Sequence, residues 1–507
     1  MLKNKIFSIS LLFIGGIFQL ISAQERPNII VFLVDDLGWV DTSLPFGDNV
    51  EALNKVYHTP NMVRLAEEGV KFTNAYATPV CTPTRISMMT GMNAAHHGVT
   101  NWTSPMANRN TDAKDDQFLP AHWNINGLSN SPETPRTIYA TTFPELLKDA
   151  GYYTVHVGKA HWGAAGTPGA NPINLGFMVN VSGHSAGHPQ NYLAEYNYGN
   201  MPQKAQIQAV PGLEEYYGTD TFLTEALTIE AIKAIEVPVQ RNEPFLLHIA
   251  HYAVHEPIMA DKRFLQKYLD TGLDSIEASY ATLIEGMDKS LGDIMDYLSK
   301  KGIKENTIIL FMSDNGGLSM VPPRSGQEHS HNLPLKAGKG SVYEGGIRVP
   351  MIVKWPGVVP PGSVANQPVI IEDFFPSILE MAGLENYKTI QQIDGKSFVS
   401  ILKDPQTADK ERAFIWHYPN KWQVRDNLGI NYKSAIRKGD WKMIYNMRDG
   451  SKELYKLSLD IGEAQNIAQE NPEVVKKLSA ILFDQLTKWK APMPVLKSTG
   501  QPLTVIP

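Results

Sequence analysis

The chain alternates two patterns of apolar and polar positions. The first is a short, continuous, β-branched apolar run that stops at polar residues. Asn28 to Val34 (NIIVFLV) ends at Asp35-Asp36, and Tyr152 to Val157 ends at Gly158-Lys159. Phe245 to Ile249 leads into a His-rich loop, and Thr307 to Met312 ends at Ser313-Asp314-Asn315. Continuous runs of this length predict strands buried on both faces, as in a parallel sheet. The second pattern is helical, over Asn61–Glu68, Phe143–Ala150 and the long Ile276–Lys300. Strands alternating with helices predict a large α/β sandwich around a mostly parallel central sheet. Ligands of such sheets bind outside the carboxyl ends of the strands, and every polar cluster noted here follows a strand.

The last hundred or so residues differ. Ala413–His417, Ser434–Arg437, Lys442–Tyr445 and Glu453–Lys456 read as short strands joined by tight turns, followed by a helix from Pro472 to about Lys490. At the other end, Lys3 and Lys5 precede an apolar run, Ile6 to Leu20, and then Ile21-Ser22-Ala23. That order is a secretory signal, and the run is marginal for a spanning helix. The expected organisation is a signal peptide over 1–23, a main domain over 24–405, and a smaller C-terminal antiparallel sheet with a helix over 406–507. The mature chain is expected to carry no transmembrane segment and to be exported, periplasmic or secreted. No cysteine near the cleavage point could carry a lipid, which argues against a lipoprotein.

Composition narrows the function. Hydrophobic residues at 43% and charged residues at 19% exclude disorder and coiled coil as the main state. The net charge, 46 − 52 = −6, lacks the basic excess of a nucleic-acid binder. The chain has one cysteine, so no intrachain disulfide forms, and an exported protein needs a reason to keep the thiol.

That cysteine opens Cys81-Thr82-Pro83-Thr84-Arg85, within Pro79 to Gly91 (PVCTPTRISMMTG). The segment resembles the signature of the type I sulfatases, in the alkaline-phosphatase-like superfamily. Further motifs carry the resemblance in the same order. Asp35-Asp36-Leu37-Gly38 is similar to the family's metal-binding start. Gly158 to Gly163 resembles its GKWHLG motif, with Ala160 in place of the usual Trp. His255-Glu256-Pro257 resembles its H-x-P loop. Ser313 to Gly316, Lys339 to Pro350 and Asp394 to Ser397 match its late motifs.

The resemblance implies a sulfuric ester hydrolase whose Cys81 becomes formylglycine (3-oxoalanine), the hydrate serving as nucleophile. A formylglycine-generating enzyme is then a required partner. It implies one Ca²⁺ held by Asp35, Asp36, Asp314, Asn315 and the modified residue 81. It implies Arg85 orienting the diol, Lys159 on the diol and sulfate oxygens, His161 as base after transfer, His255 as general acid and Lys339 pairing the sulfate.

The residue types agree with that chemistry on their own terms. A sulfate ester keeps dispersed negative charge in the transition state, so its site needs fixed positive charge and a metal. Oxygen-only ligands suit Ca²⁺ or Mg²⁺. Cys81 and Pro83 would open a helix, whose amino end attracts anions. Arg85, one turn on, would share a face with Cys81. Lys159 and His161, two apart at a strand end, would point to one side.

Specificity should come from loops around the sulfate. The candidates are His97, His184, His188, His251, Arg324 and His331, and such polar loops suggest a sulfated carbohydrate substrate. Asn101-Trp102-Thr103 is a formal glycosylation sequon. Two alternatives stay open. One is a phosphonate or phosphate ester hydrolase of the same superfamily. Its two-metal phosphatases carry an Asp-His motif where this chain has Asp314-Asn315, and no Asp-His dipeptide occurs in the chain. The other is a glycan-binding pseudoenzyme, which would have lost Cys81, Arg85 or a metal ligand; none is lost.

Overall fold

The computed structural model describes residues 26–201, 204–318, 332–422 and 430–504. The expected signal peptide, Arg324 and His331 lie outside the described residues. A large sheet holds eight strands: β1 (Asn28–Val34), β2 (Val70–Phe72), β3 (Tyr153–Gly158), β4 (Val179–Val181), β5 (Phe245–Ala250), β6 (Thr307–Ser313), β7 (Met351–Lys354) and β8 (Ser363–Ala365). Their order across the sheet is β8-β2-β7-β6-β1-β5-β3-β4. All neighbours are parallel except β7, which runs antiparallel to β6 and β2. The four strands read from continuous apolar runs are consecutive neighbours in the sheet, β6, β1, β5 and β3. In β1 every residue is buried, because helices cover both faces of the sheet.

Two helices matter most for function. α1 (Cys81–Thr90) is buried over its whole length. Its entry is fixed by Thr84 Oγ1, which accepts from the Thr78 amide at 2.9 Å, and its exit by Gly91 at φ 68°. α2 (Ser275–Lys300) starts at Asp274, whose carboxylate accepts from the amides of Ile276 and Glu277. Among the described residues no helix is long and apolar enough to cross a membrane.

A four-stranded antiparallel sheet follows, with β9 (Ala413–Tyr418), β10 (Lys433–Lys438), β11 (Trp441–Asn446) and β12 (Lys452–Lys456). A helix, α3 (Pro472–Lys488), packs on it. One face of β9 sends Phe414, Trp416 and Tyr418 into the main core, and Trp416 Nε1 donates to the Ala77 carbonyl at 2.9 Å. The small sheet is therefore welded to the segment that leads into α1.

Candidate active site

Loops from β6, β1, β5 and β3 meet at the carboxyl ends of these strands, where such sheets bind ligands. After β1 the backbone turns left-handed at Asp36 (φ 60°), which Asp tolerates better than most side chains. The Asp35 amide donates to Ala253 O at 3.0 Å and the Leu37 amide to Ser313 Oγ at 3.0 Å. Those bonds tie the turn to the loop after β5 and to the end of β6. Carboxylate oxygens of Asp35 and Asp36 and a ring nitrogen of His255 come within 4.8 Å of one another.

The charges interlock. Lys159 Nζ lies 2.6 Å from Asp35 Oδ2, and Lys339 Nζ lies 2.7 Å from Asp36 Oδ1. Arg85 Nε donates to Asp314 Oδ2 at 2.9 Å and its Nη1 to the Lys159 carbonyl at 2.8 Å. Burial works against ionised Asp36, yet Lys339, His255 and Lys159 hold its carboxyl well below the usual range. Asp35 goes the other way, because burial and the neighbouring Asp314 outweigh Lys159.

Cys81 sits at the first turn of α1, buried, beside the cavity. Burial pushes its thiol up despite Lys159 and Lys339. An unmodified cysteine here stays protonated and is a weak nucleophile.

His161 Nε2 donates to the Thr103 carbonyl at 2.8 Å, which leaves Nδ1 as an acceptor. Nδ1 lies 3.5 Å from Cys81 Sγ and 3.3 Å from Thr82 Oγ1. Burial and Lys159 hold the ring neutral. Strand alternation does not bring Lys159 and His161 to one side. β3 stops at Gly158, and His161 is left-handed at φ 53°. The loop, rather than the pleat, brings both side chains to the site. Gly187 presses on the imidazole, and a Cβ there would stand 2.5 Å from His161 Cε1.

His255 Nδ1 donates to the Glu256 carbonyl at 2.9 Å, and Nε2 faces Asp36 Oδ2 at 3.6 Å. The ring stacks on His188 at 5.6 Å, with 10° between planes.

The site suits a hard divalent cation. Asp35 Oδ1 and Asn315 Oδ1 are buried oxygens with no hydrogen-bond partner. Asp35, Asp36 and Asp314 are already offset by Arg85, Lys159 and Lys339, so a bound dication would make the pocket net positive, as an anionic ester requires. Asp35, Asp36, Asp314, Asn315 and residue 81 are the residues that would hold it.

Above this floor opens a cavity of about 250 Å³. His188 lines it; the other described specificity candidates do not. His97 is buried, its Nδ1 accepting from the Val99 amide at 3.0 Å and its Nε2 against Ser87 Oγ at 3.0 Å. Burial lowers it to about 3, so it is a neutral strut between α1 and the next loop. His251 directly follows β5 and points into the core, 2.8 Å from Ser290 Oγ and 5.2 Å from the Phe32 ring. His184 contributes its carbonyl, which accepts from the His161 amide at 3.1 Å.

The sequon Asn101-Trp102-Thr103 is part of this wall. Asn101 is buried, accepts from Tyr418 OH at 2.8 Å and donates to Asp112 Oδ1 at 3.0 Å, which closes it to glycan attachment. Trp102 and Thr103 line the cavity. So do Gln208 and Trp422, which no motif signalled. Trp422 lies against Gly340 (φ 86°), where a Cβ would collide with its ring at 2.1 Å, so glycine lets the indole cover the segment beside Lys339.

Comparison with known proteins adds to this geometry. Residues 27–384 match the family described as "Sulfatase", and residues 337–491 match "N-sulphoglucosamine sulphohydrolase, C-terminal". A protein named "Sulfatase" from Formosa agariphila is 31% identical, over 92% of this chain and 89% of its own. The N-acetylgalactosamine-6-sulfatase of Mus musculus is 28% identical, over 90% of this chain and 86% of its own. Among solved structures, Ps i-CgsB superposes with a TM-score of 0.70 at 26% identity, covering 92% of each chain. It has also been solved with k-i-k-neocarrahexaose, at 27% identity and a TM-score of 0.68, again covering 92% of each chain.

Proposed function

The chain belongs to the sulfatase family and is a sulfatase, and from that premise we propose that it removes sulfate from a sulfated carbohydrate, with residue 81 as a formylglycine and one bound Ca²⁺. The observation that carries the reading is Cys81 itself. The chain's lone thiol stands at a buried helix start beside the cavity, its burial keeping it protonated and its surroundings supplying three fixed cations. A cysteine nucleophile would need the opposite environment, whereas a modified residue 81 would find cationic side chains and a neutral base beside it.

The protein's own groups then have separate tasks. Lys339, lining the cavity, and Lys159, below it, hold sulfate oxygens. Arg85 fixes Asp314 and the Lys159 backbone, and through them the floor. His161, with Nδ1 free of hydrogen, takes the proton of the remaining hydroxyl of residue 81 after sulfate transfer, so that the aldehyde re-forms as the bond to sulfate breaks. His255 Nε2 faces the cavity; because Nδ1 already donates to the Glu256 carbonyl, the ring serves the departing alcohol oxygen as the imidazolium, with Nε2–H as the acid, and a positioned acid typically contributes about 10²–10⁴-fold. The cation, when bound, supplies Lewis-acid stabilisation of charge on the sulfate oxygens.

The carbohydrate reading draws on the names of the mouse relative and of the neocarrahexaose complex, and on the cavity's mixed aromatic and polar wall. A formylglycine-generating enzyme is the partner it needs. Residues 24–405 form the catalytic domain and 406–507 a C-terminal subdomain in this reading. Lys3, Lys5 and the apolar run after them mark it as exported, periplasmic or secreted.

The test is a paired assay. Sulfate and phosphonate esters of one phenol are compared with a sulfated sugar. Sulfate release from the phenol and the sugar should exceed phosphonate turnover. Preference for the phosphonate would overturn the reading.

A further inference from the structure

The floor of the cavity is cationic, whereas the described part of its wall carries little charge. Among the described residues that line it, Lys339 is the one lysine or arginine and Glu256 the one carboxylate. Glu256 is exposed and has no ion pair among the described residues, although it sits in a site built for an anion. Among the described residues, the rest of the wall carries no lysine, arginine or carboxylate besides Lys339. Trp102 and Trp422 offer aromatic faces, and Gln208 offers an amide. Trp102 Nε1, Thr103 Oγ1 and Gln208 Oε1 are buried polar atoms without hydrogen-bond partners, belonging to residues that line the cavity. Buried polar groups are ordinarily paired, and the exceptions call for an explanation.

We propose that this wall selects a monosulfated sugar unit whose remaining substituents are uncharged, with Glu256 accepting from its hydroxyl groups and repelling a second sulfate or a carboxylate on the same unit. The inference rests on the sulfated-carbohydrate reading above. A sugar ring has an apolar C–H face and a hydroxyl edge. Indole surfaces suit the first, while Gln208, Glu256 and Thr103 suit the second. Sulfated glycans are polyanions, so a carboxylate on the wall works by exclusion. Setting like charges beside each other is a recognised way to reject the wrong partner.

The experiment uses the mature, full-length enzyme and a panel of galactose, N-acetylgalactosamine and N-acetylglucosamine sulfates. Each monosulfate is paired with the same sugar carrying one further sulfate. For whichever ester is hydrolysed best, kcat/KM should favour the monosulfate by at least about tenfold. Glu256→Gln, a near-isosteric change on an exposed side chain, should shrink that ratio several-fold. Glu256→Lys should shrink it further or invert it. A wild-type enzyme that hydrolyses the disulfate as well as the monosulfate would overturn the inference. So would a ratio that neither variant moves. Failure of every sugar ester while a phenol sulfate is still hydrolysed would instead strike the carbohydrate reading, and this inference with it.

Discussion

Two clusters of buried charge use the same stretch of chain, Lys339 to Arg348, and behave in opposite ways. At the seam with the small sheet, Lys442 Nζ lies 2.9 Å from Glu344 Oε1 and 2.8 Å from Glu463 Oε1. Tyr76 OH donates to Glu344 Oε2 at 2.7 Å, and the Glu344 amide donates to Glu463 Oε2 at 2.6 Å. Glu344, Lys442 and Glu463 have no exposed surface, and one lysine serves both carboxylates. In the active site three carboxylates meet three cations, yet oxygens stay without a hydrogen bond next to a cavity. Asp35 Oδ1 has no hydrogen-bond partner, and its ion-pair partner Arg85 Nη2 is 3.9 Å away. Residue 81, Lys339 and His255 open onto a cavity. Burial alone therefore does not mark a functional cluster. Unsatisfied oxygen beside an opening does.

The sharpest break between the two comes from paired substitutions. Cys81→Ala removes the residue proposed to react and should abolish turnover with little change in melting temperature. Lys442→Ala strands two buried carboxylates and should cost about 3–5 kcal/mol of stability. The fraction that stays folded should keep its kcat. Denaturation curves and sulfate release measured on both variants check the split, and comparable loss of activity in both would erase the distinction.

Metal removal comes next. Chelation should abolish activity and lower the melting temperature, since an ion present at 100 times its Kd adds about 2.7 kcal/mol. Ca²⁺ should restore both better than Zn²⁺. The Lys442→Ala stability deficit should persist whether or not the ion is present. Two Zn²⁺ per chain by elemental analysis would contradict the oxygen-ligand site.

Gly187→Ala would push the His161 ring from its place beside residue 81. Displacements on the 1 Å scale cost up to about 10²-fold. The loss should fall on kcat more than on KM, and it should vanish in a His161→Ala background. An additive loss in the double variant would show that Gly187 acts on something other than His161.

A milder effect at any one pH concerns Glu372, which accepts from Asn93 Nδ2 at 2.8 Å. Burial, with Asp373 beside it, pushes it up to about 8 from an ordinary 4.5. Between those values the folded chain keeps a proton that the unfolded chain has lost, so stability falls as pH rises. The slope is on the order of 1 kcal/mol per pH unit. Glu372→Gln should flatten it, as melting temperatures between about pH 5 and 8 would show.

Much of this was legible in the sequence because the central strands are short, apolar and buried on both faces. β1, β3, β5 and β6 announce themselves and so place Asp35, Lys159, His255 and Asp314 at one sheet edge. The antiparallel β7 gave no such sign; Met351 to Lys354 is too short to reveal direction. Histidines were harder to sort. His97 and His251 carry the same residue type as His188, but their positions seven residues past α1 and one step past β5 turn them inward. Trp422 reaches the cavity only because β9 docks on the main core, a long-range contact that no local pattern contains. Trp102 and Thr103 were hidden inside a sequon that burial of Asn101 makes unusable.

The most direct test is mass spectrometry of the peptide containing residue 81, taken from the same sample whose sulfatase turnover is measured. The account predicts loss of the thiol sulfur and gain of an aldehyde oxygen, at an occupancy that tracks turnover across preparations matured to different extents. Full turnover from protein in which residue 81 is entirely unmodified cysteine would contradict it.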